Sequence, residues 1–338
     1  MNAMPPRKSL LYGALLVHSL LSAGTYILAK QAHAELPPLA LGLFRFGGAS
    51  VLLALLLRKL RPKGSRLPRP GQRRKLWLLA FVAVPLNQGF FLYGLSMSTA
   101  AHAALLYTLT PLFVLLLAQA LLGELPGFRT SLGTGLALAG TIWVLFARGL
   151  DLSRGPLVGD LLLVFAVLAW AVYTAEGREI VAQDGALPTI AWTLIGGTLL
   201  FLPVGLGSLL LPSTRAQLAH ASREAWLGVL YLSVMTSVAS YLIWYWALGH
   251  LPAARVAIFS NLQPLGTALL AHFFLGERIT ASFLLGAVVV IAGVLIAQLR
   301  ARPAQPAGPA QPAGPAQPAA AVSGGGGADG PTRRKPAM

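Results

Sequence analysis

Cysteine is missing altogether, which excludes disulfides, thiol nucleophiles and thiolate metal sites. Charge is scarce: 11% of the 338 residues are Asp, Glu, Lys or Arg, against roughly 25% in soluble domains. Acidic residues are the rarest, 10 against 26 Lys and Arg, and no apolar run carries one at its centre. A carboxylate proton relay across a membrane therefore lacks a carrier. The glycine-rich phosphate loops are missing too, and the six histidines lack HExxH spacing. An ATPase, a nucleotide-dependent enzyme or a zinc hydrolase has no equipment here, and neither a cofactor nor a metal is expected.

What is abundant is apolar: 56% of the residues. Apolar runs recur along almost the whole chain, each near the ~20 residues that cross a hydrocarbon core of ~30 Å. They fall at 9–29, 39–57, 76–95, 100–122, 132–147, 158–175, 188–211, 226–248, 253–275 and 281–299, with Pro203 interrupting the seventh. The expected fold class is all-α integral membrane, with ten transmembrane helices. Ala32-His33-Ala34 after the first run imitates a secretory cleavage site, but the run is too long for a signal h-region.

The net charge of +16 has to be read by location. Nine Lys and Arg lie between Arg58 and Lys75, in one gap between runs, which fits a cytosolic loop facing anionic lipid and not a nucleic-acid surface. With the amino terminus inside, 18 of the 26 cations fall on the inner side and 6 on the outer. The positive-inside rule then places both termini in the cytoplasm of an inner-membrane, multi-pass protein. After a short amino-terminal segment, 1–8, the chain divides into 9–148, 157–299 and a tail, 300–338, in which AQPAGP occurs twice in tandem. That Pro/Ala/Gly-rich tail cannot bury enough apolar surface to fold and is expected to be disordered.

The two long segments are copies. A shift of 153 residues superimposes 94–146 on 247–299 without a gap, pairing Pro111 with Pro264, Gly123-Glu124 with Gly276-Glu277, Gly133 with Gly286 and Gly140 with Gly293. At a slightly different offset Ala23-Gly24-Thr25-Tyr26 faces Trp170-Ala171-Val172-Tyr173. Five spans per copy is an odd number, so the second copy enters the membrane from the opposite side. Such inverted repeats suit alternating access by a secondary transporter.

Several segments carry a family likeness: Ser22-Ala23-Gly24-Thr25 with Lys30 closing the first span, 38–46 with its Arg45, Pro111 through Gly123-Glu124, and Pro264 through Gly276-Glu277-Arg278. Over residues 10–299 the chain resembles the ten-helix EamA-type transporters of the drug/metabolite transporter superfamily. The resemblance implies a permease or exporter of a small organic solute, such as an amino acid, a metabolite or a drug-like amphiphile, and a structural or gating role for Arg45. It carries no particular substrate.

Polar groups within spans face the bundle interior, because lipid exposure costs several kcal/mol. Asn87 and Gln88 beside Pro85, Tyr107, Tyr241 and Trp244, and Asn261 and Gln263 before Pro264 are the candidates for a solute pathway. Interhelical glue is the plain alternative. Pro111 and Pro264 each remove a backbone donor within a span and are candidate hinges. His18 is the best candidate for proton coupling, since imidazole titrates near neutrality, and Arg45 stands beside it as a coupling or gating residue. The expected partners are a small-molecule solute and membrane lipid, without nucleic acid. Small residues in spans five and ten serve either packing within one chain or a homodimer. A lipid-modifying membrane enzyme and a sensor or scaffold are the alternatives from other classes.

Overall fold

The computed structural model describes residues 6–60, 70–98, 100–122, 127–147, 157–275 and 281–298, and every regular element among them is helical. In chain order these are α1 (Lys8–His33), α2 (Pro38–Lys59), α3 (Arg73–Met97), α4 (Ala100–Tyr107), α5 (Thr110–Leu122), α6 (Phe128–Ala147), α7 (Leu157–Asp184), α8 (Ala186–Leu209), α9 (Pro212–His220), α10 (Arg223–Leu248), α11 (Ala253–Ala257), α12 (Gln263–Leu275) and α13 (Ala281–Gln298). Six of them, α1, α2, α3, α7, α8 and α10, are long and apolar enough to cross a membrane. Apolar side chains cover much of the outer surface, as with Leu284, Leu285, Val288 and Leu295 along α13, an arrangement that suits lipid as solvent. The tail and the Gly-Glu pairs at 123–124 and 276–277 lie outside the described residues.

Helix interruptions recur at matched places. α3 widens into a π-turn at Val82–Gln88, around Pro85, and α10 does the same at Leu232–Ser240. Both begin nine residues after their helix starts, at Arg73 and Arg223. The fourth apolar run breaks between Tyr107 and Thr110, and the ninth passes through a 3-10 turn, Ile258–Leu262, between α11 and α12. Thr110 and Gln263, which open α5 and α12, are 153 residues apart. Pro111 and Pro264 are thus the second residues of new helices, where a missing N–H costs nothing. Pro203, by contrast, leaves α8 unbroken. The short α9 was not foreseen, because its low apolar content hides it from a search for spans.

Packing pairs the halves reciprocally. α1 packs on α10 and α12, while α7 packs on α3 and α5; α2 packs on α8 and on the π-turn of α10, while α8 packs on α3. Exchanging the halves maps the pair of α2 with α8 onto itself and each other pair onto another of these. α6 and α13 pack on each other through glycines that allow backbone contact. A Cβ on Gly133 would stand 2.5 Å from the Gly293 carbonyl oxygen, and one on Gly140 would stand 3.0 Å from that of Gly286. The small faces of spans five and ten are therefore used within the chain.

Polar ties hold the helix ends. Lys30 Nζ donates to the carbonyls of Leu95 (3.0 Å) and Ser98 (2.8 Å), satisfying the open end of α3. Lys75 bridges Glu176 and Glu179 of α7, each at 2.7 Å. Ser222 caps α10 by accepting from Ala225 N–H at 3.1 Å. Its own N–H and hydroxyl donate to the Glu35 carboxylate between α1 and α2, holding that carboxyl below its usual range.

Candidate functional site

Polar side chains from both halves converge on a cavity of about 50 Å3, bounded by α1, α2, α3, α4, α7, α10 and α12. Phe91 and Trp170 supply apolar wall. Ligand pockets span about 300–1,000 Å3, so this conformation is contracted around room for a water or two. A larger groove of about 330 Å3 lies between α3 and α8, lined by Trp77, Trp192 and Leu199 with Arg73 at one end; it holds few polar groups and sits on the outer face.

Hydrogen-bond geometry fixes the amides on the α3 π-turn. Ala166 C=O can only accept, so the Asn87 group 2.7 Å from it is the Nδ2 amide. Asn87 Oδ1 then faces Gln88, whose Nε2 donates both to it and to Tyr241 Oη at 3.1 Å. Gln88 Oε1 is left buried with no partner. Asn87 is wholly buried and also donates to Tyr107 Oη at 3.3 Å; it orients the cavity residues without lining the cavity itself.

His18 is held on the opposite wall. Its Nδ1 lies 3.0 Å from the Ser240 carbonyl oxygen and 2.8 Å from Ser240 Oγ. A carbonyl accepts only, so Nδ1 carries hydrogen, and in the neutral ring Nε2 is then the acceptor, 3.5 Å from Ser22 Oγ. Trp244 packs against the ring at 4.6 Å between centroids, tilted by 36°, and donates to Thr174 Oγ1 at 3.3 Å. It supports the wall from the second row. Tyr26 Oη donates to Gln263 Oε1 at 2.9 Å, joining α1 to α12, and its ring meets that of Tyr107 edge-on at 5.9 Å.

Arg45 reaches the same cavity from α2 and is only 1% exposed. Its Nε donates to Ser237 Oγ at 2.9 Å, its guanidinium carbon lies 4.8 Å from the Phe46 ring centroid, and Nη1 has no partner.

Of the residues singled out from sequence, His18, Arg45, Gln88, Tyr107, Tyr241 and Gln263 line the cavity. Asn87 and Trp244 stand behind it. Asn261 differs: it is fully buried in the 3-10 turn, with both amide atoms unpaired, and is not part of the lining. Residues two apart on a helix point in opposed directions, so Asn261 and Gln263 cannot share one wall. Tyr26 and Trp170 were missed, although the match of 23–26 with 170–173 contained both.

The model of the EamA-like transporter family matches the chain twice, at residues 10–146 and 157–298. The chain belongs to that family. Relatives of this EamA-like protein include an uncharacterized transporter of Archaeoglobus fulgidus, 30% identical over 282 residues that cover 82% of this chain and 93% of the relative. An uncharacterized transporter of Bacillus subtilis, YyaM, is 27% identical over 85% of this chain and 93% of its own. A probable terminal-alkyne amino-acid exporter of Streptantibioticus cattleyicolor is 27% identical over 77% of this chain and 84% of its own. A solved crystal structure overlays with a TM-score of 0.68 at 22% identity, covering 88% of this chain and 99% of the other, and so shares the fold. The EamA-like chain is a multi-pass membrane protein of a transporter family.

Proposed function

We propose that this chain is a secondary transporter of a small organic solute in the cytoplasmic membrane, working by alternating access of two inverted five-helix halves. In this reading ten crossings leave both termini on one side, the cytoplasmic side by the positive-inside rule, and the solute and the surrounding lipid are its partners. The observation that carries the reading is that both halves build one polar, aromatic-walled cavity: Arg45, Gln88 and Tyr107 from the first, Trp170, Tyr241 and Gln263 from the second. The reciprocal pairing of helices and the matched interruptions support the inverted repeat. A contracted cavity has to widen before a solute enters, and the π-turns and broken helices are where helical hydrogen bonding is already relaxed. Pro111 and Pro264 open the segments that swing, and His18 and Arg45 are placed to sense what enters.

The test is counterflow in liposomes. Vesicles carrying the purified protein and preloaded with one unlabelled compound of a metabolite panel should accumulate its labelled form, which mass spectrometry recovers chemically unchanged. Recovery of a modified product, or no protein-dependent accumulation across the panel, defeats the reading.

A further inference from the structure

Two residues that line the cavity carry orphaned polar atoms of opposite kind. Arg45 Nη1 is a charged donor without an acceptor, and Gln88 Oε1 is an acceptor without a donor. Both side chains are more than nine-tenths buried, and both line the same space of about 50 Å3. No carboxylate is among the lining residues. Four of the six described acidic groups are engaged elsewhere, Glu35 with Ser222, Asp160 with Ser98, and Glu176 and Glu179 with Lys75, and Asp184 at the end of α7 and the exposed Glu224 in the first turn of α10 lie outside the lining. A buried guanidinium without counter-charge is costly, and a partner that restores its ionic hydrogen bonds recovers much of that cost.

We propose that the transported solute bears a carboxylate that Arg45 anchors in the cavity, and a hydrogen-bond donor, such as an ammonium, that Gln88 Oε1 accepts. This rests on reading the cavity as the solute site. The guanidinium fork matches a carboxylate with paired donors, which an ammonium or amide side chain in its place cannot do. Phe91 and Trp170 then face the apolar remainder of the solute. The orientation of Gln88 is not free, because Ala166 C=O sets Asn87 and Asn87 sets Gln88.

Binding is tested apart from transport. Purified protein is titrated, with melting temperature as the readout, using leucine, leucinamide, isoamylamine and 4-methylvalerate, and the same series built on phenylalanine. The acids should stabilise, with the amide and amine at least about 10- to 100-fold weaker, the range expected when one charge-assisted hydrogen bond is lost. Arg45→Gln should abolish the preference for acids without lowering the melting temperature of the unliganded protein. Gln88→Leu should weaken the amino acids and spare 4-methylvalerate, which keeps the proposal open to refutation where Arg45→Gln does not fold. Equal binding of amine and acid, acid binding untouched by Arg45→Gln, or no acid bound at about 10 mM overturns the proposal. Acids that bind but never cross a liposome sink the transporter reading alone; acids that cross equally with Arg45→Gln sink this inference alone.

Discussion

Gln263 and Asn261 are two amides a single residue apart that the structure treats oppositely. Gln263 accepts from Tyr26 and lines the cavity, whereas Asn261 is fully buried without any partner for its amide. Removing a paired polar group leaves the other partner orphaned, while removing an unpaired one relieves a desolvation penalty. Gln263→Ala is therefore expected to weaken solute affinity by about 1–3 kcal/mol, and Asn261→Leu to leave affinity alone and hold or raise the melting temperature. Affinity lost in Asn261→Leu and kept in Gln263→Ala would reverse the assignment. Chemical type was legible at these positions because amides are rare in apolar spans. Spacing also separates them, since two residues are about 200° apart on an α-helix and about 240° on a 3-10 turn; which of the two meets the cavity was not legible, because the contact of Gln263 with Tyr26 of α1 decides it.

At the scale of elements, length and apolarity located the six helices long enough to cross a membrane, but the breaks and the partners are set by geometry. The match of Pro111 with Pro264 pointed to the fourth and ninth spans as irregular, and the chain indeed starts new helices there. The π-turns had a weaker sign, since Pro85 marks the one in α3 and no proline marks the one in α10. Small residues in spans five and ten left the partner open until the two helices were seen in contact. That contact has little tolerance. Gly133→Leu should strip most folded protein from the membrane, because its Cβ would meet backbone atoms of Gly293 and Ala297 at 2.5–2.6 Å, where neither side has a flexible side chain to move. Gly135→Leu is the control, with nothing within 4 Å of its Cβ, and should express as the parent does, with helix propensity slightly improved. Fluorescence-detected size exclusion reads both; a monodisperse Gly133→Leu peak at parental height would show that the seam is not a structural constraint.

For the whole molecule, two observations support the proposed opposed insertion of the halves. One is charge: under ten crossings with the amino terminus inside, 18 of 26 Lys and Arg would fall on the cytoplasmic side and 6 on the outer side, a bias of the size that sets orientation. The other is packing, where each helix pair of one half has its counterpart when the halves are exchanged, and α6 and α13 meet through Gly133 with Gly293 and Gly140 with Gly286. Contacts that return on themselves under exchange are what a two-fold relation produces. With an axis in the membrane plane, the halves must enter from opposite sides. The expectation is that reporter fusions after Gly64 and at the carboxyl end read cytoplasmic and one after Leu150 reads external. The absence of cysteine permits a second readout without engineering a background: single cysteines at Gly64 and Leu150 should react with a membrane-impermeant maleimide only from inside and only from outside, respectively. Cytoplasmic signal at all three fusion points would make the number of crossings in the first half even. The two copies would then lie parallel, and one cavity could not be opened alternately to the two sides by exchanging their conformations.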